Sequence, residues 1–315
     1  MGARRSVFVT RPLPGGALER LQAEHEVEVW PGRLPPPREE LMARAPSLEG
    51  LLSLLTDRVD AELIEAAPRL RAISNYAVGV DNVDVDAAVA RGIPVGNTPD
   101  VLTESTADLA LALMLGIARR LAEGEAFVRA GEWRTWEPGL MLGHDLHGAT
   151  VGIVGFGRIG QAVGRRLEGF GCELVTTSRS GGVPLEELLE RSDFVTVHCP
   201  LTPDTRGLIG AEALRRMKPT AYLVNTARGP IVDTDALTGA LHSAEIAGAA
   251  LDVTDPEPLA ADHPLVNMTN CIVVPHTASA TVQTRDRMAE LAAQNLLAGL
   301  RRERPPAAVN ADEVL

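Results

Sequence analysis

Short apolar, largely β-branched runs alternate with helical segments along the whole chain, a rhythm that predicts α/β structure with parallel sheets. From Val7 the order is VFVT, a helix over 16–24, VEVW, a proline-rich turn at Pro35 to Pro37 and GLLSLL. A helix near 61–67, RAISNYA, a helix over 85–91 and IPVGN follow. Ser105-Thr-Ala-Asp108 then reads as a capping box opening a long helix that runs to about Leu121. That helix is apolar nearly all round, which predicts a place at an interface between domains or subunits. After a loop-rich stretch over 131–148 comes a second series: TVGIVG, CELVTTS, DFVTVHC, AYLVNTA, AGAALDV and CIVVPH. Six strands with interleaved helices meet the requirement of a doubly wound fold. A last helix over 281–300 has no strand after it and is expected to return to the first domain. The expectation is two Rossmann-like, doubly wound parallel-sheet domains, 1–98 with 281–315 and 99–280.

Composition narrows the class. A chain of 315 residues exceeds what one core usually serves, and 45% hydrophobic with 23% charged residues is the balance of a soluble globular protein. The net charge of -12 argues against nucleic-acid and membrane-surface partners. Lys218 is the only lysine, so P-loop and polybasic chemistry has almost nothing to work with. Cys172, Cys199 and Cys271 are odd in number and widely spaced, which suggests neither a disulfide framework nor a zinc cluster and fits a cytoplasmic location. The apolar run near the start is too short for a signal peptide, and the longest run, 107–118, is broken by Asp108 and falls short of the ~20 residues of a membrane span. His144-Asp-Leu-His147 lacks further ligands at suitable spacing, so no metal is expected.

Gly155, Phe156, Gly157, Arg158, Ile159 and Gly160 form G-x-G-x-x-G directly after a strand and at the head of a helix. In that context the glycines allow a tight turn, approach of a pyrophosphate to the backbone, and close helix–strand packing. The end of the next strand, Ser178-Arg179-Ser180, has no acidic residue to bind a ribose 2'-OH. An arginine flanked by two hydroxyls offers a charge-assisted site for a 2'-phosphate, so NADP(H) is preferred and NAD(H) remains possible. Arg179 is also compatible with a solvated surface arginine. Arg228 and His276 follow strands, and Glu257 lies in the loop after AGAALDV, so all three can reach the crevice at the carboxyl ends of a parallel sheet. Together they suit carbonyl chemistry on a carboxylate: a guanidinium to hold and polarise, a histidine to move a proton, a glutamate to orient the imidazole. Singly, each also reads as an ordinary strand-end or loop residue.

These motifs resemble the D-isomer-specific 2-hydroxyacid dehydrogenases, most closely the glyoxylate/hydroxypyruvate reductase branch, over nearly the whole chain. Asn75-Tyr-Ala-Val-Gly-Val-Asp-Asn82 resembles the family's substrate loop, and Ser192 to Thr202 and Val224 to Gly229 its later signatures. The resemblance implies an active-site cleft between the domains, with 1–98 and 281–315 as the substrate (catalytic) domain. It implies substrate-carboxylate binding by the N–H groups of Val78 and Gly79, and His198, Pro200, Thr226 and Ala227 beside the cofactor. Asp252 would bind the nicotinamide carboxamide. Arg228 would be the substrate-binding catalytic arginine, Glu257 the orienting acid and His276 the proton donor. Trp136 resembles a tryptophan inserted into the neighbouring subunit's active site, which implies a homodimer built on a helix and loop over 101–148. Pro230 and Thr254 depart from the usual pattern. The implied activity is NADPH-dependent reduction of glyoxylate or hydroxypyruvate to glycolate or D-glycerate. Alternatives are an NAD-dependent 3-phosphoglycerate or phosphite dehydrogenase, and a non-catalytic dinucleotide-sensing corepressor.

Overall fold

The computed structural model describes residues 4–315 and divides the chain into two compact units, Met1–Leu102 with Ala280–Leu315, and Thr103–Ser279. The first begins β1 (Ser6–Val9), α1 (Ala17–Glu24), β2 (Glu26–Val29), α2 (Arg38–Arg44), β3 (Gly50–Ser53), α3 (Ala61–Ala66), β4 (Ala72–Asn75), α4 (Val85–Ala90) and β5 (Val95–Gly96). The second holds α5 (Thr103–Ala118), α6 (Leu121–Arg129), β6 (Thr150–Val154), α7 (Arg158–Glu168), β7 (Glu173–Ser178), β8 (Gly181–Gly182) and α8 (Leu185–Arg191). It continues with β9 (Phe194–Val197), α9 (Ala211–Arg216), β10 (Tyr222–Asn225), α10 (Thr234–His242), β11 (Gly248–Leu251), α11 (Pro264–Asn267) and β12 (Cys271–Val273). The chain then returns to the first unit as α12 (Val282–Arg301).

In the first unit the strands run parallel in the order β2-β1-β3-β4-β5. Alternation along each strand feeds two cores. Val7, Val9, Leu52 and Ala72 pack on one face, and Phe8, Leu51, Ile73 and Val95 on the other. The first face is covered by α1 and by Met288, Ala289, Ala292, Ala293, Leu296 and Leu300 of α12. The last helix therefore closes a core that begins at residue 7, which is the physical reason this unit is discontinuous.

The second unit carries a sheet in the order β12-β11-β10-β9-β6-β7-β8. Apart from β8 these are the six strands that the sequence predicts, and they run parallel. β8 is an addition: Gly181 and Gly182, both at positive φ, fold back antiparallel on Thr177 and Ser178. Strand order reverses between β6 and β9, the place where doubly wound sheets bind ligands.

Three helical expectations need correction. The chain is already helical at Thr103, so Ser105 is buried in the first turn of α5 instead of capping it. That helix stops at Ala118, because Arg120 adopts φ 52 and the Ala118 carbonyl accepts the His144 N–H at 3.0 Å. A Cβ on Gly143 would lie 2.1 Å from that carbonyl, so the close return of the loop requires glycine there. Second, α6 precedes the loop, with none of its residues buried. Third, α2 begins immediately after Pro37, where the sequence predicts only a turn. No helix among the described residues is long and apolar enough to cross a membrane.

Leu296, fully buried between α12 and the first sheet, tests the closure. Leu296→Ala should lower unfolding free energy by about 2–5 kcal/mol in denaturant titration; a loss below about 0.5 kcal/mol, the range of surface substitutions, would contradict this packing.

Candidate active site

Strand register brings the sequence-predicted residues of the second unit to one edge. Val154, Val197, Asn225, Leu251 and Val273 lie side by side across β6, β9, β10, β11 and β12. The next residues, Gly155, His198, Thr226, Asp252 and Val274, therefore line the carboxyl ends of the sheet. Arg228, Glu257 and His276 follow within a few residues on three of the loops.

Just past the carboxyl end of β6 the chain turns at Gly155, with φ 95, where a Cβ would meet the Cys199 nitrogen at 2.4 Å. Gly160 faces the Gly155 carbonyl at 2.3 Å on the same construction, so helix and turn touch. Gly157 caps α7 and has open space where its Cβ would be. No acidic side chain occupies the first turn of α7, leaving its N-terminal dipole available to an anion. Phe156 and Ile159 are half-buried on either side of Gly157 and Arg158, which are exposed. These features fit the pyrophosphate of a nicotinamide dinucleotide. At the end of β7 the Ser178 and Ser180 hydroxyls are 3.0 Å apart, and Arg179 is exposed.

His198 sits between two hydroxyls, Thr196 Oγ1 at 2.9 Å from Nε2 and Thr226 Oγ1 at 3.3 Å from Nδ1. Burial pushes its pKa down to about 4, so the ring is neutral near pH 7 and suits this pair of hydrogen bonds. The neighbouring Cys199 thiol is pushed up to about 11 by burial, which removes thiolate chemistry from this edge. Pro200 is exposed, and its carbonyl accepts the Thr205 hydroxyl at 2.7 Å.

Asn225 shapes the arginine loop, a role that sequence reasoning missed. Its Oδ1 accepts the Ala227 N–H at 3.0 Å and its Nδ2 donates to the Arg228 carbonyl at 2.9 Å, clamping the turn from both ends. The half-buried Arg228 donates from Nη1 to the Ala227 carbonyl at 2.9 Å. A Cβ on Gly229 would lie 1.9 Å from the Thr254 carbonyl, so this loop rests directly on the backbone that follows β11. The two departures from the family pattern are accommodated here. Pro230 lies in a short 3-10 turn over Gly229–Ile231, and the Thr254 hydroxyl donates to the Pro256 carbonyl at 2.8 Å.

Asp252, 1% exposed, holds the histidine loop. Its Oδ1 accepts the Thr277 N–H at 2.5 Å and the Thr277 hydroxyl at 3.2 Å, and its Oδ2 accepts the Ala278 N–H at 2.9 Å. Its backbone carbonyl accepts the His276 N–H at 2.9 Å. His276 itself is left-handed, φ 52, a conformation that costs a non-glycine residue about 1–2 kcal/mol and here is fixed from both sides. The ring of His276 meets Glu257 Oε1 at 2.7 Å through Nδ1, and Nε2 takes no part in that contact.

In the first unit, Val78 and Gly79 lie on the partly exposed loop after β4, and their N–H groups have no partner among the described residues. Trp136 is 78% exposed, near Trp133, Leu142 and Val128 in the chain, which are also exposed. His144 bonds the Tyr222 hydroxyl at 2.8 Å and His147 the Phe170 carbonyl at 2.8 Å.

A glycine-rich turn at a sheet's switch point, beside a histidine–glutamate pair and an arginine, defines an NAD(P)-dependent oxidoreductase. More narrowly, the chain belongs to the D-isomer-specific 2-hydroxyacid dehydrogenases and reduces a 2-oxo acid. The family model described as "D-isomer specific 2-hydroxyacid dehydrogenase, NAD binding domain" matches residues 111–278. A glyoxylate reductase of Korarchaeum cryptofilum (strain OPF8) is 49% identical over 320 residues, covering 98% of this chain and 96% of that protein. The crystal structure of the TT0316 protein from Thermus thermophilus superimposes with a TM-score of 0.93 at 50% identity, covering 96% of this chain and 99% of that one. An NADPH-dependent glyoxylate/hydroxypyruvate reductase from Sinorhizobium meliloti, crystallised with NADP and malonate, gives 0.85 at 34% identity over 98% of both chains.

Because a side chain at residue 229 collides with the Thr254 backbone, Gly229→Ala should displace Arg228 and lower kcat/KM about 10²-fold. Steady-state kinetics on folded protein checks this; near wild-type activity would show that the contact does not position the arginine.

Proposed function

We propose that the protein is an NADPH-dependent glyoxylate and hydroxypyruvate reductase, forming glycolate and D-glycerate. The observation that carries this reading is the His276 Nδ1–Glu257 Oε1 contact of 2.7 Å on the strand edge that also carries Arg228. Supporting it are the glyoxylate reductases among its relatives, 46–49% identical over nearly their full length.

The dinucleotide, when bound, supplies a hydride to C2 of the 2-oxo acid. Gly155, Phe156, Gly157, Arg158, Ile159 and Gly160 would hold its pyrophosphate, and Pro200, Thr226 and Ala227 would bind it further along the same edge. Asp252 accepts from the carboxamide with a lone pair left over from its loop contacts. Arg179 makes no ion pair among the described residues and, with Ser178 and Ser180, receives the 2'-phosphate of NADPH. The cofactor named for the Sinorhizobium meliloti reductase agrees with this preference.

Arg228 binds substrate and polarises its C2 carbonyl, and the Val78 and Gly79 N–H groups bind its carboxylate. As C2 gains the hydride, His276 gives the Nε2 proton to the carbonyl oxygen, which becomes the hydroxyl, and takes a replacement from water after release. Glu257, accepting from Nδ1–H, fixes the orientation of the imidazole. The exposed apolar side chains of Leu121, Val128, Trp133, Trp136 and Leu142 join a second copy in a homodimer and deliver Trp136 to the partner's active site. We place the enzyme in the cytoplasm, in keeping with its free cysteines Cys172, Cys199 and Cys271.

The test is steady-state oxidation of NADPH and of NADH with glyoxylate, hydroxypyruvate and pyruvate on one purified sample. The expected result is kcat/KM for NADPH at least about tenfold above NADH, with glyoxylate or hydroxypyruvate as the faster substrate. Preference for NADH would overturn the Arg179 assignment, and no turnover with any pair would overturn the reductase reading.

A further inference from the structure

We infer that Asn97 is a positioning residue that aims the carboxylate-binding amides of Val78 and Gly79, an inference that rests on the role proposed for them above. A planar trans peptide points its C=O and N–H in opposite directions, so fixing the carbonyl fixes the amide. The Ala77 carbonyl accepts the Thr98 N–H at 2.8 Å, which turns the Val78 N–H away from the segment after β5. The Val78 carbonyl accepts Asn97 Nδ2 at 2.8 Å, which turns the Gly79 N–H the same way. Two successive amides thus face one side, the arrangement of a backbone nest for an anion.

The Thr98 contact is backbone to backbone and survives most substitutions. The Asn97 contact depends on one side-chain amide, and several further contacts hold it. Asn97 is buried at 8% exposure. Its carbonyl accepts Asn295 Nδ2 at 2.8 Å, and Asn295 Oδ1 accepts the Ala307 N–H at 2.9 Å. Asn295 lies on α12 at 1% exposure, against Gly96, where a Cβ would come within 2.6 Å of it. On the other side, Asn75 Nδ2 donates to the Gly79 carbonyl at 3.0 Å and to Asn82 Oδ1 at 2.9 Å, so the loop is gripped at both ends. If the peptide between Val78 and Gly79 were free to rotate, it would present a carbonyl dipole in place of an N–H to a carboxylate, turning attraction into repulsion. Asn97 does not touch the substrate; it sets the sign of the dipole that does.

The experiment uses the full-length enzyme with NADPH, glyoxylate as substrate and oxalate as a non-reducible carboxylate inhibitor. Asn97→Asp is nearly isosteric but turns an acceptor toward the Val78 carbonyl; Asn97→Ala removes the tether without adding charge. Both should raise the oxalate Ki and the glyoxylate KM about tenfold or more, with a smaller change in kcat and unchanged NADPH Kd. Unchanged Ki and KM in both variants, or a loss confined to kcat and melting temperature, would overturn the inference. Oxalate inhibition of the wild type reports on the carboxylate site itself. Failure of the functional reading would appear there, as an enzyme that neither binds oxalate nor reduces glyoxylate, and would overturn this inference with it; failure of the Asn97 role alone appears only in the variants.

Discussion

The buried carboxylate of Asp252 is the contact on which the carboxyl edge of the second sheet depends. It receives two backbone amides and a hydroxyl from the turn after β12, while its own carbonyl receives the amide of His276. Its N–H donates to the Asn225 carbonyl at 2.9 Å, so the same residue joins the ends of β10, β11 and β12. Charge-assisted hydrogen bonds of this kind are roughly twice as strong as neutral ones, which is ample to hold one left-handed histidine. Without them, His276 would relax toward an ordinary backbone region and its ring would leave Glu257.

Rigidity at this edge comes from backbone contacts more than from side-chain packing. The Arg228 turn is clipped by Asn225 and seated on the Thr254 carbonyl, the Gly155 turn lies against Cys199, and the His276 turn is bonded to Asp252. Such contacts leave little room for adjustment, and the proposed proton transfer needs that precision because reacting atoms must be held within a fraction of an ångström. His198 adds a neutral polar link between β9 and Thr226, with burial ensuring that it stays uncharged.

Much of this is legible in the sequence, and the reasons for the rest are physical. Central strands such as Tyr222–Asn225 and Gly248–Leu251 are buried on both faces and read as apolar runs. The edge strand Gly181–Gly182 carries no such signal, because two glycines have no β propensity and pair only where the turn places them. The capping pattern at Ser105 is overridden by a chain already helical two residues earlier, and Arg38–Arg44 is hidden behind prolines that favour a helix start as readily as a turn. Arg228, Glu257 and His276 can be singled out as residues following strands. What spacing cannot encode is the bonding that aims them: the Asn225 clamp, the left-handed backbone at His276, and the turn of the peptide planes beside Asn97. Asparagines at or just after strand ends are the available signal for two of these.

The most direct test of the account is the turnover of His276→Gln with glyoxylate and NADPH, measured beside the binding of NADPH to the same protein. Glutamine cannot deliver the proton, so turnover should fall about 10²–10⁴-fold while the dissociation constant for NADPH is unchanged. Turnover close to wild type would contradict the account by removing His276 as proton donor.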